Sequence, residues 1–193
     1  VQAVALGLGL MALLALTLIR DDLMQNWRTS LPPDAPDHFL VNIQADQLEP
    51  LAASFNQHKI TQPPIFPMVR GRLTAINDKP IASGDYNDIR AKRLVEREFN
   101  LSWAQEMPSD NQIIKGHWWK SGDNGKAVMS MEEGIAKTVG VGLCDKLTYD
   151  VAGSTFSATI TSLRKVDWDT FRVNFFVVTP AGVLDKYSAT YIP

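Results

Sequence analysis

No charged side chain precedes Arg20, and this constrains the chain more than any other feature. Val1 to Ile19 reads VQAVALGLGLMALLALTLI, in which 15 of 19 positions are Ala, Val, Ile, Leu or Met and only Gln2 and Thr17 carry polar side chains. As a helix rising about 1.5 Å per residue, the run spans roughly 28 Å, close to the hydrocarbon thickness of about 30 Å that a spanning segment must cover. A secretory signal peptide has a shorter apolar region, about 7 to 15 residues, followed by a small-x-small cleavage site. Here Arg20-Asp21-Asp22 follows, which is no such site. The run therefore reads as a transmembrane helix. It opens without Met and without a basic flank, which reads as a cut from a longer protein.

The helical pattern continues past Arg20. Leu23, Met24, Trp27 and Leu31 follow the spacing i, i+1, i+4, i+8 of one helix face, and Pro32-Pro33 stops it. Residues 1–31 are thus expected to form one membrane helix and stalk, with Leu23, Met24 and Trp27 as stalk residues. The proline-rich LPPDAP, Leu31 to Pro36, is a stiff linker.

All 40 formal charges lie in residues 20–193, a density usual for a domain that folds in water and long enough to bury a core without disulfides or metal. A net charge of −2 argues against nucleic acid as partner, because phosphate backbones are held by concentrated Lys and Arg. Arg90, Lys92, Arg93 and Arg97 do cluster, but Glu96 and Glu98 interleave with them, so they read as a solvated face. The single Cys144 cannot form an internal disulfide and reads as a small buried hydrophobe.

The remainder, residues 37–193, reads as one α+β domain with an α/β part over about 37–145 and a β-rich part over about 146–193. HFLVNI (38–43) suggests a first strand, and Asp46 with Glu49 a capping box before a helix bearing Leu48, Leu51, Ala52 and Phe55. Residues 65–76 suggest a strand ending in an Asn77-Asp78 turn. Phe99, Leu101 and Trp103 alternate with polar residues and so share one sheet face, while the charged stretch before them is either a short helix or part of the same strand. Ser130 and Glu133 suggest a cap for a short helix ending at Gly140 or Gly142. From Lys146 onward the pattern is β, with a hairpin at Gly153-Ser154 and a last strand in FRVNFFVV.

Chemical motifs are sparse. Gly7-Leu8-Gly9-Leu10-Met11-Ala12 matches a dinucleotide-binding pattern, but inside an apolar run the small residues Ala3, Gly7, Gly9 and Ala12 are better read as packing surface for other membrane helices. There is no GxxxxGK[ST] loop, so any ATP is held by another chain, and no GxSxG elbow. His38, His58 and His117 stand far apart outside any metal-binding spacing, and Asp123-Asn124-Gly125 reads as a turn. No cofactor is called for. Trp118, Trp119 and Trp168 are the aromatics to watch. Adjacent Trp on a strand point to opposite faces, so one of the pair would be open to a partner or lipid unless both faces are covered.

REFNLSW (97–103), SMEEGIAK (130–137) and SLRKVDWDTFRVNFFVVTPAGVL (162–184), with LVNIQADQLEPL (40–51) and PMVRGRLTAIND (67–78), resemble the MacB/FtsX-like ABC transporter permeases in their YbbP-like branch. These segments resemble, in the same order, the second large periplasmic domain of those proteins, and the resemblance implies that residues 1–31 are the membrane helix preceding it. The resemblance implies a MacB-like periplasmic core anchored in a bacterial inner membrane. It also implies a separate cytoplasmic ATPase subunit as partner, and further transmembrane helices in the parent permease. Mechanotransmission is implied as the role, in export or extraction of hydrophobic compounds, with a periplasmic thioesterase or lysophospholipase as a further associate. Two other readings stay open at this point: a membrane-anchored periplasmic hydrolase, and a carrier domain whose β-rich half encloses an apolar ligand.

Overall fold

Ala and Leu are strong helix formers, and with no Pro before residue 32 nothing interrupts their run. In the computed structural model, α1 spans Gln2–Ser30 as one helix of 29 residues. The structure describes residues 2–30, 40–170 and 172–193. The chain divides into two units, Val1–Asp37 and His38–Pro193. The linker from Leu31 to Pro36, and His38 and Phe39 of the expected first strand, lie outside the described residues.

What remains of that strand does not form. Asn42 takes a left-handed conformation (φ 60), which breaks the extension, and Ile43 makes a single antiparallel bridge to Tyr191. Helix α2, Leu48–Gln57, follows a short 3-10 turn. Its approach is closed by Gln47, whose side-chain oxygen accepts from the Gln44 backbone N–H at 2.9 Å, in place of the expected Asp46 and Glu49.

The strands are β1 (Phe66–Ile76), β2 (Lys79–Pro80), β3 (Glu98–Trp103), β4 (Asn111–Gly116), β5 (Val128–Glu132), β6 (Lys146–Val151), β7 (Ser154–Val166), β8 (Val177–Thr179) and β9 (Thr190–Ile192). Six of them close on themselves. β1 pairs with β3 through Val69–Arg72 and, on its other edge, with β6 through Arg72–Ile76. β3 runs parallel to β8, β8 antiparallel to β5, β5 parallel to β7, and β7 antiparallel to β6. The ring β1-β3-β8-β5-β7-β6 is a small barrel, with β2, β4 and β9 appended outside it. Strands from before and after residue 146 interleave within it.

Period-two alternation then sorts side chains into inside and outside. Val69, Leu73, Phe99, Leu101, Met129, Met131, Leu147, Tyr149, Phe156, Ala158, Ile160 and Val177 are all buried and form one contiguous core. The interior is tight at Gly71, where a Cβ would meet Leu101 Cδ1 at 2.9 Å and Val151 Cγ2 at 3.1 Å. Tyr149 is fully buried, its hydroxyl has no hydrogen-bond partner among the described residues, and burial pushes that phenol up.

Two helices pack outside. α3, Ile89–Glu96, is capped by Asp88, whose carboxylate accepts from the Arg90 N–H at 2.7 Å. α4, Glu133–Val139, is capped by Glu132, which accepts from Gly134 and Ile135 N–H at 2.8 and 2.7 Å. The expected cap Ser130 is instead a fully buried residue of β5, because the strand runs through to Glu132. α4 ends at left-handed Gly140. Of the described residues of the expected last strand, only Val177 and Val178 extend as such, continuing to Thr179; Asn174 is held instead through its side chain by Asp110 and Asn111. The β6–β7 turn falls on left-handed Ala152 and Gly153, one residue early. Cys144, expected to be buried, is exposed: its left-handed backbone (φ 70) forms a turn whose N–H bonds Ile160 and aims the side chain outward.

Candidate functional site

The first candidate surface is α1. Residues Gln2–Asn26 have a mean hydropathy of 2.2 over an 18-residue window, and this helix is long and apolar enough to cross a membrane. Its leucines are exposed within the chain, as are Leu23 and Met24. Gly7 and Gly9 have nothing within 4 Å of where a Cβ would stand. At 100° per residue, Ala3 and Gly7 share one face and Gly9 and Ala12 another, so the four small residues form two short stripes. Trp27 lies in the same helix.

The tryptophans behave differently from two neighbours on a strand. β4 ends at Gly116 (φ 78), where a Cβ would lie 2.1 Å from the Thr161 carbonyl oxygen, so only glycine can turn the chain there. Trp118 and Trp119 therefore sit beyond the strand, and their rings stack on each other with centroids 3.8 Å apart. Trp119 is buried, donates from Nε1 to the Ala104 carbonyl at 2.8 Å, and packs with Met68, Phe175 and Val178 on the outer barrel face. Trp118 is half-buried and donates to the Gln105 carbonyl at 3.1 Å. Trp168 is 47% exposed and lies elsewhere, its ring 5.0 Å from that of Phe176.

Sequence reasoning missed Arg164, which is fully buried on that outer face. Its Nη2 donates to the Phe175 carbonyl, while Nε and Nη1 have no hydrogen-bond partner among the described residues. Burial lowers the guanidinium to about 10, opposed by the Glu132 and Asp110 carboxylates. Asp110 itself accepts from Asn174 Nδ2 at 2.6 Å and Thr170 Oγ1 at 3.0 Å. Partial burial raises its pKa, but those hydrogen bonds, with others from its own backbone and Asn111, outweigh burial and hold it below the ordinary carboxylate value. A buried cation among β-branched and aromatic neighbours left no periodic mark in the sequence.

Between α3 and α4 lies a shallow groove lined by Arg90, Arg93, Arg97, Leu94, Ile135 and Thr138, with Glu132 at its side. Three of the four basic residues read as a solvated face thus line one concavity. Arg97 is held over the rings of Phe99 and Phe176, 6.0 and 5.7 Å from their centroids. Among the described residues no group of three His, Cys, Asp or Glu is placed to hold a metal ion.

An apolar helix of membrane-crossing length joined to an α+β domain defines a membrane-associated class of protein. The chain is 41% identical over 191 residues to YbbP of Escherichia coli (strain K12), described as an uncharacterized ABC transporter permease; the match covers 99% of the chain and 22% of that protein. The permease resemblance read from the sequence is thereby shown over nearly the whole chain, which spans about a fifth of the length of this relative. No protein-family model matches the chain. A crystal structure of a domain of a candidate permease protein from Porphyromonas gingivalis aligns with 67% of the chain and 54% of its own, at 11% identity and a TM-score of 0.37. A likeness that loose carries no argument.

Proposed function

We propose that residues 37–193 are the periplasmic domain of an ABC transporter permease of a bacterial inner membrane, and that residues 1–31 are its membrane helix and stalk. In this reading the domain is non-catalytic. It receives movement through the stalk from ATP hydrolysed by a separate cytoplasmic subunit, and serves export or extraction of hydrophobic compounds. A periplasmic thioesterase or lysophospholipase is the associate this reading favours. Ala3, Gly7, Gly9 and Ala12 meet other helices of the permease, and exposed Trp168 is the aromatic best placed for a partner or lipid.

One observation carries the reading: the 41% identity runs through helix and domain together, and α1 continues past Arg20, Asp21 and Asp22 to Ser30 without a break. A helix of that length is about 43 Å long and outruns a hydrocarbon core of about 30 Å, leaving a rigid projection able to transmit force. The filled barrel interior weighs against the carrier alternative, whose ligand would need an apolar cavity.

The test inserts two Gly between Asp22 and Leu23 of the full-length protein, reconstituted with the ATPase that copurifies with it. Each Gly costs about 1 kcal/mol in a helix interior, which makes the stalk a hinge. The expected result is an intact domain whose deletion or uncoupling alters ATPase turnover. ATPase activity indifferent to both the insertion and removal of residues 37–193 overturns the proposal, as does failure of any ATPase to copurify.

A further inference from the structure

We infer that the groove between α3 and α4 is a docking site for an extended acidic segment of a partner polypeptide. Arg90 and Arg93, at the spacing i, i+3, share one side of α3, and Arg97, the extended residue that follows the helix, lines the same groove. None makes an ion pair with a carboxylate among the described residues, where the pairs found are Lys126–Asp123 and Lys146–Asp78. The groove does contain one carboxylate, Glu132, but both its oxygens are occupied by the Gly134 and Ile135 amides of α4. Three guanidinium groups therefore face the groove against a single carboxylate already engaged by α4, on a chain whose net charge is −2.

Shape selects among anionic occupants. The floor is apolar, with Leu94 buried and Ile135 half-buried, and lies below the arginine rim. A planar anionic bilayer would meet the rim and leave the floor empty. An extended strand places side chains on alternate sides, with like-facing residues about 6.6 Å apart, so alternating acidic and apolar residues reach rim and floor together. Guanidinium groups bind carboxylates through paired hydrogen bonds, which favours a carboxylate ladder along the row. Arg97 is preorganised for this by the Phe99 and Phe176 rings.

The test uses the full-length protein in neutral phosphatidylcholine nanodiscs and a fluorescent octapeptide alternating Glu and Leu, with a Lys-Leu octapeptide as control. The Glu-Leu probe is expected to bind, to weaken severalfold between about 50 and 300 mM salt as screening shortens the reach of the charges, and to lose at least tenfold in affinity in Arg90→Glu/Arg93→Glu. Should the reversal variant lose its fold by circular dichroism, Arg90→Gln/Arg93→Gln is expected to show a smaller loss in the same direction. Equal binding by folded variants, equal binding of the Lys-Leu control, or no peptide binding while phosphatidylglycerol vesicles are captured through these arginines would each overturn the inference. The binding measurement stands whether or not the domain relays movement.

Discussion

Helix α1 and the β-barrel are built from the same apolar residue types and place them oppositely. In α1 the leucines from Leu6 to Leu18 are exposed within the chain, and every backbone hydrogen bond can close four residues away. In the barrel, Leu73, Leu101 and Leu147 are buried to 1% exposure or less, and the ring is closed by partners far apart in sequence, such as Leu73 with Tyr149 and Ile160 with Met129. Hydrophobicity alone does not say which solvent a segment leaves. The helix satisfies its backbone locally and so can enter lipid by itself, whereas the strands must find one another before any apolar face is removed from water.

The sharpest way to break that contrast is a paired truncation in the full-length protein. Leu101→Ala empties part of the barrel interior and is expected to cost about 2–5 kcal/mol, read as a lower guanidinium midpoint of Trp fluorescence. Leu13→Ala in α1 is expected to leave that midpoint unchanged, since Leu13 lies outside the barrel's core.

A charge reverses the sensitivities. Leu10→Arg places a guanidinium midway along the apolar run, which costs about 2.5–3.5 kcal/mol on insertion scales, and is expected to reduce insertion of α1, read as labelling by a membrane-impermeant thiol reagent of a cysteine introduced into the run. The barrel's unfolding midpoint stays where it was.

Next in size is Gly71→Ala. The added methyl meets Leu101 and Val151 inside the closed ring, where neither can withdraw without shifting a paired strand. Overpacking of this kind costs about 1–3 kcal/mol. Gly7→Ala, with nothing within 4 Å, is expected to cost the barrel nothing.

The smallest effect concerns pH. Asp110 is held below its ordinary value in the folded protein by Asn174 and Thr170, burial notwithstanding. A depressed folded value means that the carboxylate stabilises the fold above the unfolded value, and that this contribution fades as pH falls through the folded one. Hydrogen exchange in residues 167–176 is therefore expected to quicken at acidic pH below the usual carboxylate range, and Asp110→Asn to remove that dependence.

Much of this was legible in the residues. The uncharged run marked α1, the alternation of Phe99, Leu101 and Trp103 marked the inward face of β3, and Asn77-Asp78 marked a turn whose two residues are indeed left-handed. Errors arose where a side chain bonded a backbone group the local pattern did not anticipate. Ser130 looked like a cap because Glu133 follows at the right spacing, yet Glu132 is nearer the helix start and takes the amides. The tryptophan pair looked like opposite faces of a strand until Gly116 turned the chain and let the rings stack. The arginines were visible as a cluster and read as a solvated face, but the facing wall of their groove belongs to α4, some 40 residues on.

By itself the sequence determined what depends on neighbours within a turn or two: the membrane-length helix, the left-handed Asn77-Asp78 turn and the buried face of β3. Only the tertiary structure decided which strands are neighbours, that six of them close a ring, that Arg164 is buried against the Phe175 carbonyl, and that α3 and α4 enclose a groove. The division follows the reach of the forces. Propensity and periodicity act over a few residues, while ladder hydrogen bonds join any two strands of matching pattern, and only simultaneous packing of all of them selects one pairing.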